Sequence, residues 1–168
     1  MYIEENSIQR LSKKRTKIKL LIDRLFFPLI ALISAKTAIK LGLTPLDEER
    51  LRFVLPHLNG KVLDIGCGDN ILIKTYKNGI GVDVYPWKGV DIVVEDSSKL
   101  PFGNSEFDTV TFIASFNHIP NREEVLLEAK RLLADNGCLI ISMITPFVSR
   151  IVHRLRYRYD PDQSERGM

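Results

Sequence analysis

Gly66, Gly68 and Asp83 are the residues whose types and spacing point to chemistry. Asp64 lies in an apolar run, residues 61–65, that leads into Gly66-Cys67-Gly68-Asp69-Asn70. Glycine takes backbone angles that strain other residues and lets a ligand approach the main chain without a Cβ in the way. At the carboxyl end of a parallel strand, such a turn opens on the crevice where open α/β sheets bind ligands. A two-glycine turn also occurs with no ligand at all. Asp83 is the second feature that favours one: it ends the next apolar run, residues 79–84, and its acceptor pair suits the two hydroxyls of a ribose. His118, just after a fourth run, can take a proton from a hydroxyl or amine near its unperturbed pKa. Lining the cavity, or an ordinary loop position, are its other readings. Cys67 and Cys138 form no disulfide framework and sit in no metal-ligand spacing, so a reducing cytoplasm is the expected setting. Cys67 needs only to be small, and no metal is expected.

The elements that must position these residues alternate regularly. Thr44-Pro45-Leu46-Asp47 reads as a helix start, with Thr44 as cap and Pro45 in the first turn. Leu51, Val54, Leu55 and Leu58 carry its apolar face, and Asn59-Gly60 stops it. Strands are expected over 61–65, 79–83, 91–94, 108–113 and 138–143. A short helix spans about 70–76 with Gly79 at its end, and a longer one, capped by Asn121, closes at Asn136-Gly137. Strands alternating with helices imply a parallel sheet with right-handed crossovers. The free backbone N–H groups of the glycine turn are expected to suit a carboxylate. Tyr85 and Trp87, just past Asp83, cover an adenine edge or simply pack.

VLDIGCGDN, GVDVYPW, EDSSKLPFGNSEFDTVTF and EEVLLEAKRLLADNGCLIIS together resemble a class I S-adenosylmethionine-dependent methyltransferase of the type 11 group, over about residues 44–146. The resemblance implies a Rossmann-like α/β fold, a parallel sheet of about five strands in the order 3-2-1-4-5 flanked by helices. It implies S-adenosylmethionine as cofactor and S-adenosylhomocysteine as product. Asp64, Ile65, Gly66, Cys67 and Gly68 would hold the methionine part. Asp83, with Val84 beside it, would take the ribose hydroxyls, Asp96 the adenine amino group, and Ser97 would make a backbone contact to the ring. Ile113, Ala114 and Ser115 would lie beside the sulfonium and donor methyl. The implied activity is methyl transfer to an O, N or C atom of a small-molecule, lipid or glycan acceptor. A non-catalytic S-adenosylmethionine-binding or interaction module is the alternative. A nucleotide-binding oxidoreductase is disfavoured, because G-x-G-x-x-G would need glycine where Ile71 stands.

The chain departs from that family at three places. Asn70 stands where many relatives have a third glycine, and Asn tolerates left-handed angles. Only 22 residues follow Pro146, so the usual seven-stranded sheet is expected to lack its last strands and the chain to have stopped early, with strand five at an open edge. That edge calls for cover by the chain's own helices or by a second copy in a homodimer. Residues 1–42 are an addition, with nine Lys/Arg against three Asp/Glu. The expected division is thus an amphipathic helical arm at 1–42, a core at 43–146 and a basic, aromatic tail at 147–168. Within the arm, Ile18, Leu21, Ile22, Leu25, Leu29, Leu32 and Ile33 repeat at helical spacing, and Pro28 should split the helix. The 11 uncharged residues between Arg24 and Lys36 are far short of the roughly 20 that span a bilayer. This apolar face packs on the domain, or residues 13–35 make a peripheral contact with an anionic membrane. No nucleic-acid partner is expected, since aromatics are not interleaved with the basic residues.

Overall fold

The computed structural model describes residues 8–143. The expectations for the tail, for His153 and for residues 1–7 and 144–146 fall outside that range. The described residues form two compact units, 8–53 and 54–143.

In the first unit, residues 8–12 are helical and three short helices follow, α1 (Lys17–Leu25), α2 (Phe27–Leu32) and α3 (Ala35–Lys40). Thr16 caps α1 by accepting from the Lys19 N–H at 3.2 Å, and Ser34 caps α3 through the Thr37 N–H at 3.2 Å. Pro28 fits the first turn of α2, where its missing N–H costs nothing, so the split comes at Phe26 as expected. A fourth helix, α4 (Leu46–Val54), closes the unit. Its start corrects the sequence reading. The Thr44 hydroxyl donates to Asp23 Oδ2 at 2.7 Å, and the Thr44 N–H donates to Asp23 Oδ1 at 3.0 Å. A buried carboxylate thus takes both groups. Asp23 also pairs with Arg15 and Lys19, while Glu48 binds Arg10 and Arg52. Burial raises the Asp23 pKa, but the bonds from Lys19 and Thr44 outweigh that and hold it below the ordinary carboxylate value. The apolar core here is small, built on Ile30, Ala38 and Leu43.

The second unit opens with a 3₁₀ turn at Leu55–His57 and holds the sheet. Strands β1 (Val62–Ile65), β2 (Gly79–Asp83), β3 (Ile92–Val93), β4 (Phe107–Ile113) and β5 (Leu133–Ser142) lie in the order β3-β2-β1-β4-β5. All neighbours are parallel. This is the order expected from the sequence. The β1 run Val-Leu-Asp-Ile is wholly buried, as suits a central parallel strand covered on both faces. Helix α5 (Ile71–Tyr76) follows the glycine turn, and α6 (Arg122–Leu132) precedes β5. The core packs Leu63, Ile65, Val82, Phe107, Val110 and Phe112 against Val125, Ala129 and Leu132 of α6.

Three local expectations are corrected. Helix α5 turns out through Lys77 at φ 69° rather than at Gly79, which already belongs to β2. Helix α6 stops at Leu132, and Asn136-Gly137 lies within β5, where the register shifts between the Phe107–Leu133 and Thr109–Cys138 pairs. Asn121 precedes α6 but makes no side-chain cap, for a reason found at the site.

The sheet order fixes where a ligand can sit. Chain direction across the sheet reverses between β1 and β4, so the connections after those two strands diverge and leave a crevice at their carboxyl ends.

Candidate functional site

The turn after β1 is built by glycines at left-handed angles, Gly66 at φ 74° and Gly68 at φ 54°. The two have different reasons. A Cβ on Gly66 would stand 2.4 Å from Ser115 Cβ, so Gly66 lets the β1 and β4 connections meet. Ser115 seals that contact by donating its hydroxyl to the Ile65 carbonyl at 2.6 Å. A Cβ on Gly68 would meet no heavy atom within 4 Å. The space above Gly68 is open.

Asp83, at the end of β2, is buried and clasped to that turn. Its Oδ2 accepts from the Gly68 N–H at 2.9 Å and its Oδ1 from the Tyr85 N–H at 2.9 Å. Each carboxylate oxygen has a second lone pair, so the group is held in place and keeps acceptor capacity. Four of the N–H groups expected to be free at the turn are engaged. Gly66 and Cys67 both donate to the Val82 carbonyl, at 2.8 and 3.1 Å, Gly68 donates to Asp83, and Asn70 to the Cys67 carbonyl at 2.9 Å. These groups tie the turn to β2 and to itself.

Asp64 lies beneath the turn, 2% exposed, with the Thr111 hydroxyl donating to its Oδ1 at 2.7 Å. Burial pushes its carboxyl up to about 7, with the nearby charge of Asp83 adding and the Thr111 bond opposing. Burial, reinforced by the charges of Asp64, Asp83 and Asp91, also pushes the Cys67 thiol up, so it stays neutral and is no nucleophile.

Asn70 takes the left-handed position of the absent third glycine, φ 58° and ψ 33°. It adds what glycine lacks, because Nδ2 donates to the Gly89 carbonyl at 3.0 Å and to Asp91 Oδ2 at 2.8 Å. A Cβ on Gly81 would fall 2.1 Å from its side chain, so residue 81 makes room for it.

Asp96 follows β3 and accepts from the Ser98 N–H at 2.8 Å, the Ser98 hydroxyl at 2.7 Å and Asn121 Nδ2 at 3.2 Å. These bonds, the Ser98 N–H first, hold its carboxyl below the ordinary value. They also occupy the Asn121 side chain, which is why it does not cap α6. Ser97 is buried beside Asp96, and Val84 is exposed. Ile113 to Ser115 lie at the end of β4, with Ala114 at φ 58°. His118 is exposed at the end of a half-buried 3₁₀ turn, Phe116–His118, with Nε2 3.1 Å from Asn117 Nδ2.

The structure therefore joins Gly66 to Ser115 and Gly68 to Asp83 by direct contact, and places Asp96 and His118 after strands that end at the same side of the sheet. Sequence reasoning missed Thr111, Asn121 and the anchoring role of Asn70. Their partners lie 19 to 47 residues away, and no local pattern announces them. Among the described residues no group of His, Cys, Asp and Glu is arranged to hold a metal ion.

A profile of the family described as "Methyltransferase domain" matches residues 37–167. The chain belongs to that family. An uncharacterised protein of Methanocaldococcus jannaschii is 33% identical to this methyltransferase domain over 91 residues, covering 49% of this chain and 36% of that protein. A sterol 4-C-methyltransferase of Caenorhabditis elegans is 29% identical over 121 residues, covering 56% and 36%. A ubiquinone biosynthesis O-methyltransferase of Glaesserella parasuis is 31% identical over 129 residues, covering 59% and 53%. The chain thus spans about a quarter to a half of the length of the curated relatives it matches. The solved structure of an S-adenosylmethionine-dependent methyltransferase from Thermotoga maritima superposes with a TM-score of 0.58 at 24% identity, covering 64% of this chain and 57% of that one. At that identity the likeness concerns the fold. The cofactor of this methyltransferase domain is S-adenosylmethionine. The residues present fit such a group: the space over Gly68 is clear, and Asp83 is a pre-positioned acceptor for a diol.

Proposed function

We propose that this chain transfers the methyl group of S-adenosylmethionine to an O, N or C atom of a small, lipid-like acceptor. The observation that carries the reading is the Asp83 carboxylate fixed to the glycine turn beneath open space. A bound S-adenosylmethionine supplies an activated methyl group and leaves as S-adenosylhomocysteine. The chain's own residues bind and orient. Asp83 accepts from the ribose hydroxyls, Asp96 from the adenine amino group, and Asp64 to Gly68 with Ile113 to Ser115 border the reacting end. Displacement at a methyl group needs alignment above all, so positioning and the exclusion of water supply most of the acceleration. Where the acceptor atom carries a proton, the exposed His118 receives it.

The acceptor class rests on the relatives' names, which speak of a sterol and of ubiquinone biosynthesis. Sterols and ubiquinone are both largely apolar molecules. The test is transfer of labelled methyl from S-adenosylmethionine to a panel of sterols, quinols, glycans and small amines. Label in a sterol or quinol is the expected result, and label confined to glycans or amines refutes the acceptor class. Tight cofactor binding with no transfer to any acceptor makes the chain a non-catalytic binding module.

A further inference from the structure

Helix α1 is amphipathic the wrong way round for a helix that covers a core. Its polar residue Asp23 faces inward, 4% exposed, tied to Thr44, Arg15 and Lys19. Its apolar residues face outward, with Ile18 72%, Leu21 69% and Leu25 73% exposed. These three follow helical spacing and form one stripe. Phe26, Phe27 and Leu29 continue the exposed apolar surface into α2. Scattered exposed leucines are ordinary, but a contiguous apolar surface marks an interaction site.

Charge says what the surface fits. Residues 8–53 hold eleven Lys/Arg against four Asp/Glu, a net charge of +7. All four acidic groups are paired within the unit: Asp23 and Glu49 with Arg15, Glu48 with Arg10 and Arg52, and Asp47 with Arg50. Lys13, Lys14, Lys17, Arg24, Lys36 and Lys40 make no ion pair with a described residue. On the α1 wheel the apolar stripe lies opposite Asp23, and Lys17 and Arg24 flank it on one side. There their long side chains can reach past a buried apolar face to charges around it.

We infer that the exposed face of α1 and α2 seats this chain on an anionic lipid surface, with Ile18, Leu21 and Leu25 entering the interface and Lys13, Lys14, Lys17 and Arg24 meeting acidic headgroups. No described helix is long and apolar enough to cross a membrane, so the contact is peripheral. A second copy fits less well, since a symmetric pairing would set one +7 unit against another. Residues 144–168 also carry the repelling sign, with five Arg against three Asp/Glu. An anionic bilayer answers both the apolar stripe and the uncompensated cations.

The test is sedimentation of the full chain with phosphatidylcholine vesicles, alone or with about one third phosphatidylserine, across a salt series. Binding to the anionic vesicles only, weakening as salt rises, is expected. Replacing Lys13, Lys14 and Lys17 with Gln should lower partitioning about 100-fold, at roughly 5-fold per cation. Leu21→Ser with Leu25→Ser should lower it at least about 10-fold at every salt concentration. All five positions are exposed, so circular dichroism should show both variants folded. Wild-type protein that ignores anionic vesicles, or binds both compositions equally at all salt, overturns the inference. So does a dimer, seen by light scattering, that Leu21→Ser with Leu25→Ser dissociates. Vesicle binding is read without cofactor or turnover, so its failure is separate from failure of the proposed activity.

Discussion

Asp64→Asn should make the protein more stable than the wild type at alkaline pH, and progressively less so as pH falls. Asp64 is 2% exposed, and its carboxyl is raised to about 7 by burial and by the Asp83 charge, against an ordinary value of 3.8. A raised carboxyl favours the protonated folded state. Its contribution to stability is fully present below about pH 3.8, falls as pH rises, and is gone above about pH 7. At about 1.36 kcal/mol per pH unit, the whole span is worth roughly 4 kcal/mol, and the part between about pH 5 and pH 8 roughly 2–3 kcal/mol. Asn keeps the acceptor for the Thr111 hydroxyl but cannot ionise. Its surplus N–H adds a cost of about 1 kcal/mol that does not change with pH, so the slope carries the information. Urea unfolding of both proteins, without cofactor, over about pH 5 to pH 8 gives the difference curve. Groups common to both proteins cancel in it. The Asn variant should gain about 2–3 kcal/mol on the wild type across that window and then level off. A flat difference, or one that grows as pH falls, refutes the assignment of a strained buried carboxylate beneath the glycine turn.

The two glycines should fail differently. Gly66→Ala places a Cβ 2.4 Å from Ser115 Cβ at φ 74°, so the β1 and β4 connections are pushed apart and thermal unfolding should shift down by more than the roughly 1–2 kcal/mol of left-handed strain alone. Gly68→Ala carries similar backbone strain but meets no atom within 4 Å, so it should cost only that strain in stability and a larger share of S-adenosylhomocysteine affinity. Equal stability losses in the two variants would contradict the distinction between a packing glycine and a ligand-facing one.

The apolar runs that became β1, β2 and β4 were legible because a central parallel strand is buried on both faces and reads as unbroken hydrophobic sequence. Asp83 was legible for a related reason, as a charge at the end of such a run needs a purpose. What local pattern concealed was the choice a polar side chain makes among distant partners. Thr44 and Asn121 both stand where a helix cap is expected, yet Asp23 and Asp96, 21 and 25 residues away, take them instead. Three of the N–H groups read as free in the glycine turn, those of Gly66, Cys67 and Gly68, were taken the same way, by the Val82 carbonyl and Asp83 across the sheet. At β5, Asn136-Gly137 has the chemistry of a helix stop, but α6 gives way at Leu132 because Leu133 already pairs with Phe107. In the arm, the apolar spacing of Ile18, Leu21 and Leu25 falls on one helix face, while Ile33 packs on the small core, and the sense of the face was not readable. The burial of Asp23 and the exposure of Ile18, Leu21 and Leu25 show that the apolar stripe faces outward.

The central claim is that the turn after β1 and Asp83 form one cofactor site, and calorimetric binding of S-adenosylhomocysteine to the wild type and to Asp83→Ala tests it most directly. The wild type should bind S-adenosylhomocysteine and not NAD. Asp83→Ala should weaken binding by about 1–3 kcal/mol, roughly 5- to 150-fold, because the ribose hydroxyls lose their acceptor and the Gly68 N–H its partner. Equal affinity in the two proteins would contradict the account, as would a wild type that binds NAD in place of S-adenosylhomocysteine.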